Sequence, residues 1–241
     1  MDRMIYLSMA GAKATMQRQD ALSHNLANVS TSGFRAEMTA FRAVPVLGQG
    51  ASTRVYALES TPGYNAEPGP VQPTGRNLDV ALKGNAWLAV QGLDGTEAYT
   101  RAGSLDLDAE GLLITKNGLT VLGDGGPITI PANAQVQVAS DGTITAAVGN
   151  NKPQTVGKLK LVTPEAPLRR GEDGLFRAPD GDLSADPNAR LQDGALEGSN
   201  VSAVETMIAM IAASRQFEQQ MKMVHSAQEK EQSATKLLSN S

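Results

Sequence analysis

The chain contains no cysteine, which removes disulfides, thiolate metal ligands and a cysteine nucleophile from consideration. Histidine is nearly as scarce. His24 and His225 are the two among 241 residues, so a three-histidine metal site is excluded and any Ser-His-Asp triad must recruit one of them. Aromatic residues amount to 4%, too few for stacking platforms or aromatic cages, and the core must be built from Leu, Val, Ile, Ala and Met. There is no excess of positive charge: 21 Lys and Arg stand against 25 Asp and Glu, without a basic cluster, which argues against a nucleic-acid partner. No run approaches the ~18 apolar residues of a membrane span, so membrane insertion is not expected. The start, Met1-Asp2-Arg3-Met4-Ile5-Tyr6, lacks the basic and then apolar pattern of a signal peptide, and any export is expected to proceed without signal cleavage.

Proline and glycine are unevenly placed. Residues 1–44 hold no proline and only Gly11 and Gly33, and neither residue type occurs after Gly198. Both ends therefore read as helices, while the middle has the texture of strands and turns. In the first helix Ile5, Met9, Ala12, Met16, Leu22 and Leu26 recur near helical spacing and form one apolar face. The second opens at Ser202-Ala203-Val204-Glu205, a capping-box pattern. Its stripe of Met207, Met210, Ile211, Ser214, Phe217, Met221 and Val224 has a heptad-like rhythm, turning polar towards Leu238. If continuous, that helix runs about 50 Å at ~1.5 Å per residue. A helix of this kind needs a partner, either the first helix or copies of itself from other chains.

In the middle, Leu78, Val80 and Leu82 alternate with polar residues, as do Leu88 with Val90, Leu105 with Leu107, Ile128 with Ile130, Val136 with Val138, and Leu159 with Leu161. These predict half-buried strands. Asn117-Gly118 and Asp141-Gly142 lie between apolar runs as hairpin turns do, so the sheet is expected to be mostly antiparallel. The prolines from Pro45 to Pro73 suggest an extended connector with one strand near Arg54 to Leu58. The fold class is thus α+β: terminal helices forming a coiled-coil-like assembly domain, with a central, mostly antiparallel all-β domain. The expected boundaries are 1–43 for the first helix and corner, 44–75 for the connector, 76–198 for the β domain and 199–241 for the last helix.

Few groupings suggest catalysis. The acidic stretch Asp180 to Asp186 lacks the glycine and glutamate of a calcium loop and reads as an exposed turn. Gly123-Asp124-Gly125-Gly126 has no following lysine or helix and is no phosphate loop. The acids Asp94, Glu97, Asp106, Asp108 and Glu110 invite comparison with a glycosidase pair, but spacing alone does not bring two together. Asn28-Val29-Ser30 and Asn200-Val201-Ser202 match the glycosylation pattern and read as local caps. No catalytic residue, cofactor or metal is expected; the rival readings are a ligand-binding β domain with helical oligomerisation tails and a glycan-directed enzyme.

The segment from Ser23 to Arg35 is the most specific. Asn25 and Asn28 sit one turn apart, Gly33 permits the chain to leave the helix, and Phe34 anchors the exit. Asn25-Leu26-Ala27-Asn28-Val29-Ser30-Thr31-Ser32-Gly33-Phe34 resembles the N-terminal signature of the bacterial flagellar rod and hook protein family. Ser199-Asn200-Val201, Met207-Ile208-Ala209-Met210-Ile211 and Arg215-Gln216-Phe217-Glu218 are similar to that family's C-terminal helix. Leu78 to Val90 and Tyr99-Thr100-Arg101-Ala102-Gly103-Ser104-Leu105 resemble its β domain, so the resemblance covers essentially the whole chain.

It implies a structural rod subunit crossing the periplasm in the basal body, exported by the flagellar apparatus, that polymerises through its helices with copies of itself and with proximal and distal rod subunits. Subunit-interface roles are then expected for Ile5, Met9, Met16, Leu22, Asn25, Leu26, Asn28, Gly33 and Phe34. They are expected also for Asn200, Val201, Met207, Ile211, Arg215, Phe217, Glu218 and Met221.

Overall fold

A computed structural model describes residues 3–45, 55–149 and 151–239. The chain divides into two compact units. The first comprises Met1–Val29, Ala36–Asn65 and Val201–Ser241; the second comprises Ser30–Arg35 and Ala66–Asn200.

The first unit holds two long helices, α1 (Arg3–Ala27) and α2 (Ala203–Ser239), packed on each other, and an antiparallel pair, β1 (Glu37–Pro45) and β2 (Val55–Tyr64), in contact with α1. On α1 the buried and half-buried positions include Ile5, Ser8, Ala12, Thr15, Gln19, Leu22 and Leu26, alternately three and four apart. On α2 the matching row is Thr206, Met210, Ala213, Phe217, Gln220, Val224 and Ala227. This is the spacing of a coiled-coil seam, filled here largely by small residues that let the helices approach. Gly11 illustrates the fit, because a Cβ added there would lie 3.1 Å from the Gln220 side chain. Thr15 satisfies its hydroxyl inside the seam by donating to Gly11 O at 2.9 Å.

The seam differs from the stripe expected from hydrophobicity. Ala12 and Val224 are buried as expected, but Met9 and Met16 are exposed, as are Met207 and Ile211, whereas Ser8, Thr15, Thr206 and Ala213 are buried. Bulk misled because the contact selects small side chains, and the largest apolar groups lie beside it. The expected connector at 44–75 also differs. Its described residues include the end of β1, all of β2 and a strand Val71–Pro73, so pairing already begins at Glu37. Pro45 and Pro62 are tolerated because both strands of a two-stranded sheet are edges. The strand expected near Arg54 to Leu58 falls within β2 from Val55 onwards, and Arg54 itself lies outside the described residues.

The second unit is entirely β, and every strand pair described in it is antiparallel. Its largest sheet has five strands in the order Leu161–Val162, Trp87–Gln91, Glu97–Thr100, Phe176–Arg177 and Arg169–Arg170. A three-stranded meander, Ala134–Val138, Thr143–Val148 and Gln154–Lys158, contributes Val136, Val138 and Ile144 to the same core. The Asp141-Gly142 turn joins its first two strands, with Asp141 accepting from the Thr143 amide and hydroxyl. Val80–Leu82 and residues 87–90 are buried on both faces, not half-buried as the alternation suggested. Leu88, Leu105, Leu113, Val121, Ile144 and Leu191 are fully enclosed in that aliphatic core.

Candidate assembly surface and a buried ion-pair network

Residues of the first unit and of the second carry different parts of the expected site. In the first unit, α1 ends in a cap that uses both signature asparagines. Asn28 donates from its amide N–H to His24 O and Asn25 O, and its Nδ2 donates to His24 O at 2.9 Å. Asn25 turns inward and clamps β1. Its Nδ2 donates to Glu37 O at 2.9 Å, while its Oδ1 accepts from Glu37 N at 2.7 Å. The amide side chain thus stands in for a strand partner at the first residue of β1, which no other uncharged side chain of that length except Asn does at once as donor and acceptor. His24 Nδ1 lies 3.0 Å from Glu37 Oε2 and adds a more exposed tie to the same residue.

At the other end, Ser202 Oγ accepts from Glu205 N at 3.4 Å and opens α2, as the capping-box pattern anticipates. Beyond it, Val204, Met207, Ile208 and Ile211 are between 51% and 68% exposed. Val204 stands three and four residues before Met207 and Ile208, and Ile211 four and three after them, so the four form one apolar face on the first turns of α2. Met9 and Met16 are exposed on α1, two helical turns apart, and Met221, Arg215 and Glu218 are exposed further along α2. Ile5, Leu22, Leu26 and Phe217 are half-buried in the helix pair, and Val201 is half-buried at its entry.

In the second unit, Gly33 and Phe34 are buried inside the chain. Gly33 has φ +69°, and a Cβ there would stand 2.2 Å from the carbonyl carbon and oxygen of Arg101. Arg170 lies over the Phe34 ring at 4.7 Å, with its guanidinium donating to Arg35 O. Asn25, Gly33 and Phe34, expected at a subunit interface, therefore act within their own chain. They position elements of the fold and are buried in the single chain.

The residues that sequence reasoning missed are Arg35, Arg101 and Glu197. The Glu197 carboxylate, 1% exposed, lies 2.8 Å from Arg35 and 2.6 Å from Arg101. It also accepts from Gly69 N at 3.0 Å. Arg101 donates from all three guanidinium nitrogens, binding Glu197 and the carbonyls of Leu82, Gly84 and Ala86. Arg35 in turn donates to Glu67 O. Glu197 O accepts from Gly33 N at 2.8 Å, and Asn200 bonds Phe34 O through its amide and Glu67 O through Nδ2. Residues 30–35 and 195–200, far apart in sequence, are thus locked together around one buried carboxylate. Arg101 sits inside a segment that carries the resemblance and Arg35 directly follows another, but nothing in spacing pairs them with Glu197.

The candidate acids are engaged locally. Glu97 pairs with Lys160 at 2.7 Å and accepts from Tyr99, whose phenol is pushed up chiefly by burial. Asp94 accepts from Thr96, which holds its carboxyl below the usual range, and Asp108 accepts from the Glu110 and Leu112 amides. Trp87, Tyr99, Phe34 and Phe176 are buried, so these aromatics do not build an open ligand platform.

Known proteins match along the whole length. Residues 5–35 match the model described as flagella basal body rod protein, residues 81–146 that of the flagellar hook protein FlgE/F/G D1 domain, and residues 192–237 that of the flagellar basal body rod FlgEFG protein C-terminal. The flagellar basal-body rod protein FlgF of Salmonella typhimurium is 47% identical over 252 aligned positions, covering 100% of both chains. Its namesake in Escherichia coli is 46% identical with the same coverage. The flagellar basal-body rod protein FlgG of Agrobacterium fabrum is 30% identical, covering 94% of this chain and 96% of its own. No helix among the described residues is long and apolar enough to cross a membrane. With the signature asparagines forming the helix cap and strand clamp, and with full-length identity of this order, the chain belongs to the flagellar basal-body rod protein family and is a structural subunit of the rod.

Proposed function

We propose that the subunit polymerises through its terminal helices, with the face formed by Val204, Met207, Ile208 and Ile211 packing against neighbouring copies and other rod subunits. The observation that carries this reading is the continuous exposure of those four apolar residues on a helix that already buries a separate seam against α1. Burying each such side chain contributes roughly 1.5–3 kcal/mol, so a handful per contact sustains a stable array once repeated. Exposed Met9, Met16 and Met221 offer further apolar contacts, and Arg215 and Glu218 are exposed charges on the same helix as Met221. Head-to-tail contacts of this kind generate an open helical array, as a torque-bearing shaft requires. The role is mechanical, without catalysis or cofactor. The subunit reaches the periplasm through the flagellar export apparatus.

The test is Ile211→Asp in cells that lack their own copy. Because Ile211 is exposed, the variant is expected to fold normally, yet it should be missing from isolated basal bodies and leave the cells non-motile, since a buried unpaired charge is strongly unfavourable. Incorporation at the native level would overturn the proposal.

A further inference from the structure

All nine methionines fall in the first unit, and none lies among residues 66–200. Six of them, Met9, Met16, Met38, Met207, Met221 and Met223, are exposed. The chain has no thiol to take up an oxidant in their place. An exposed thioether reacts readily, and the product is a polar, chiral group on a side chain that had been apolar and adaptable. From this distribution we propose that Met9, Met16 and Met207 are oxidation sites that make subunit incorporation sensitive to peroxide before assembly.

The step is a two-electron oxygen transfer. The thioether sulfur attacks one oxygen of hydrogen peroxide, an S–O bond forms as the O–O bond breaks, and the departing hydroxide takes the proton from the new S–OH group and leaves as water. Sulfur is oxidised and the peroxide reduced. Each of the three side chains is more than half exposed, so the reaction needs no opening of the fold. Met207 neighbours Val204 and Ile211 at helical spacing on the first turns of α2, so its sulfoxide places a strong dipole at the edge of the apolar face. An unpartnered polar group buried at a contact weakens it, and two or three such groups per subunit compound the loss. Once the face is covered by a neighbour, the same sulfurs are shielded. The vulnerable form is the free subunit, and the inference rests on the assembly reading above.

The experiment uses the full chain and hydrogen peroxide. Sulfoxides are mapped by peptide mass spectrometry, and polymerisation is read by sedimentation and electron microscopy. Each sample is compared with its own untreated control. Oxidation at Met9, Met16 and Met207 is expected to lower pelletable protein about tenfold with unchanged circular dichroism. Treatment with methionine sulfoxide reductases should restore it. In the variant carrying Met9→Leu, Met16→Leu and Met207→Leu, the ratio of treated to untreated assembly should stay near one. Oxidised native subunits that polymerise like untreated ones would overturn the inference alone, and so would a leucine variant that is just as sensitive to peroxide. Untreated native chain that does not polymerise, alone or with a second rod subunit, would overturn the assembly reading and this inference with it.

Discussion

Glu197 is the most constrained side chain of the β unit, because two arginines and a backbone amide converge on one enclosed carboxylate. Removing one member of such a group leaves buried charge without its counterpart, and Glu197→Gln is expected to destabilise this unit by about 3–5 kcal/mol. Trp87, the single tryptophan of the chain, is buried here with the Arg101 guanidinium 5.9 Å from its ring centroid, so its fluorescence in a urea titration reports on this unit alone. Gly33 is expected to tolerate not even alanine: the positive φ costs about 1–3 kcal/mol in a residue with a Cβ, and the collision with the Arg101 carbonyl comes on top. The same titration detects it.

Asp173 gives a pH signature. The Arg177 guanidinium bonds both its oxygens and holds its carboxyl below the ordinary aspartate value. A carboxyl whose folded pKa is lowered contributes stability above its unfolded pKa near 4 and loses it as pH falls through the lower folded value. Acid titration should therefore loosen the turn leading to Phe176, whose ring lies 4.6 Å from Trp87, and Asp173→Asn should abolish that part of the tryptophan response.

Elements were legible in the sequence to different depths. The two helices, the antiparallel character of the β unit, the Asp141-Gly142 turn and the opening of α2 follow from glycine and proline placement and from local capping, which are properties of neighbouring residues. The face each helix buries does not follow from them. Hydrophobicity points to Met9 and Met16 beside Ala12, but the α1–α2 contact takes Ser8 and Thr15 with Ala12 because close approach favours small side chains. The β1–β2 pair was obscured by prolines that an edge strand accepts, and the Glu197 network by sequence separations of about 100 residues or more. The distinction between faces makes a prediction. Ala213→Asp enters the seam and should melt the helix pair, seen as lost helical circular dichroism, whereas Ile211→Asp should leave the helical signal intact.

For the whole molecule, the proposed assembly surface, apolar and rich in methionine, has a thermal consequence. Apolar burial weakens on cooling and strengthens with sulfate salts, so polymer sedimentation is expected to fall at low temperature and rise with added sulfate. Polymers held mainly by ion pairs would instead dissolve as salt increases. The β unit carries a different consequence. Residues 30–35 reach it from outside its main run of chain, yet supply Gly33, Phe34 and Arg35 to the same lock as Glu197 and Asn200. A fragment cut at Ala66 and Asn200 is consequently an incomplete fold with a vacant slot, and a short peptide carrying Ser30 to Arg35 becomes its ligand. The unit is in effect a split protein whose smaller half is six residues long, and binding of that peptide can be titrated by the recovery of Trp87 fluorescence.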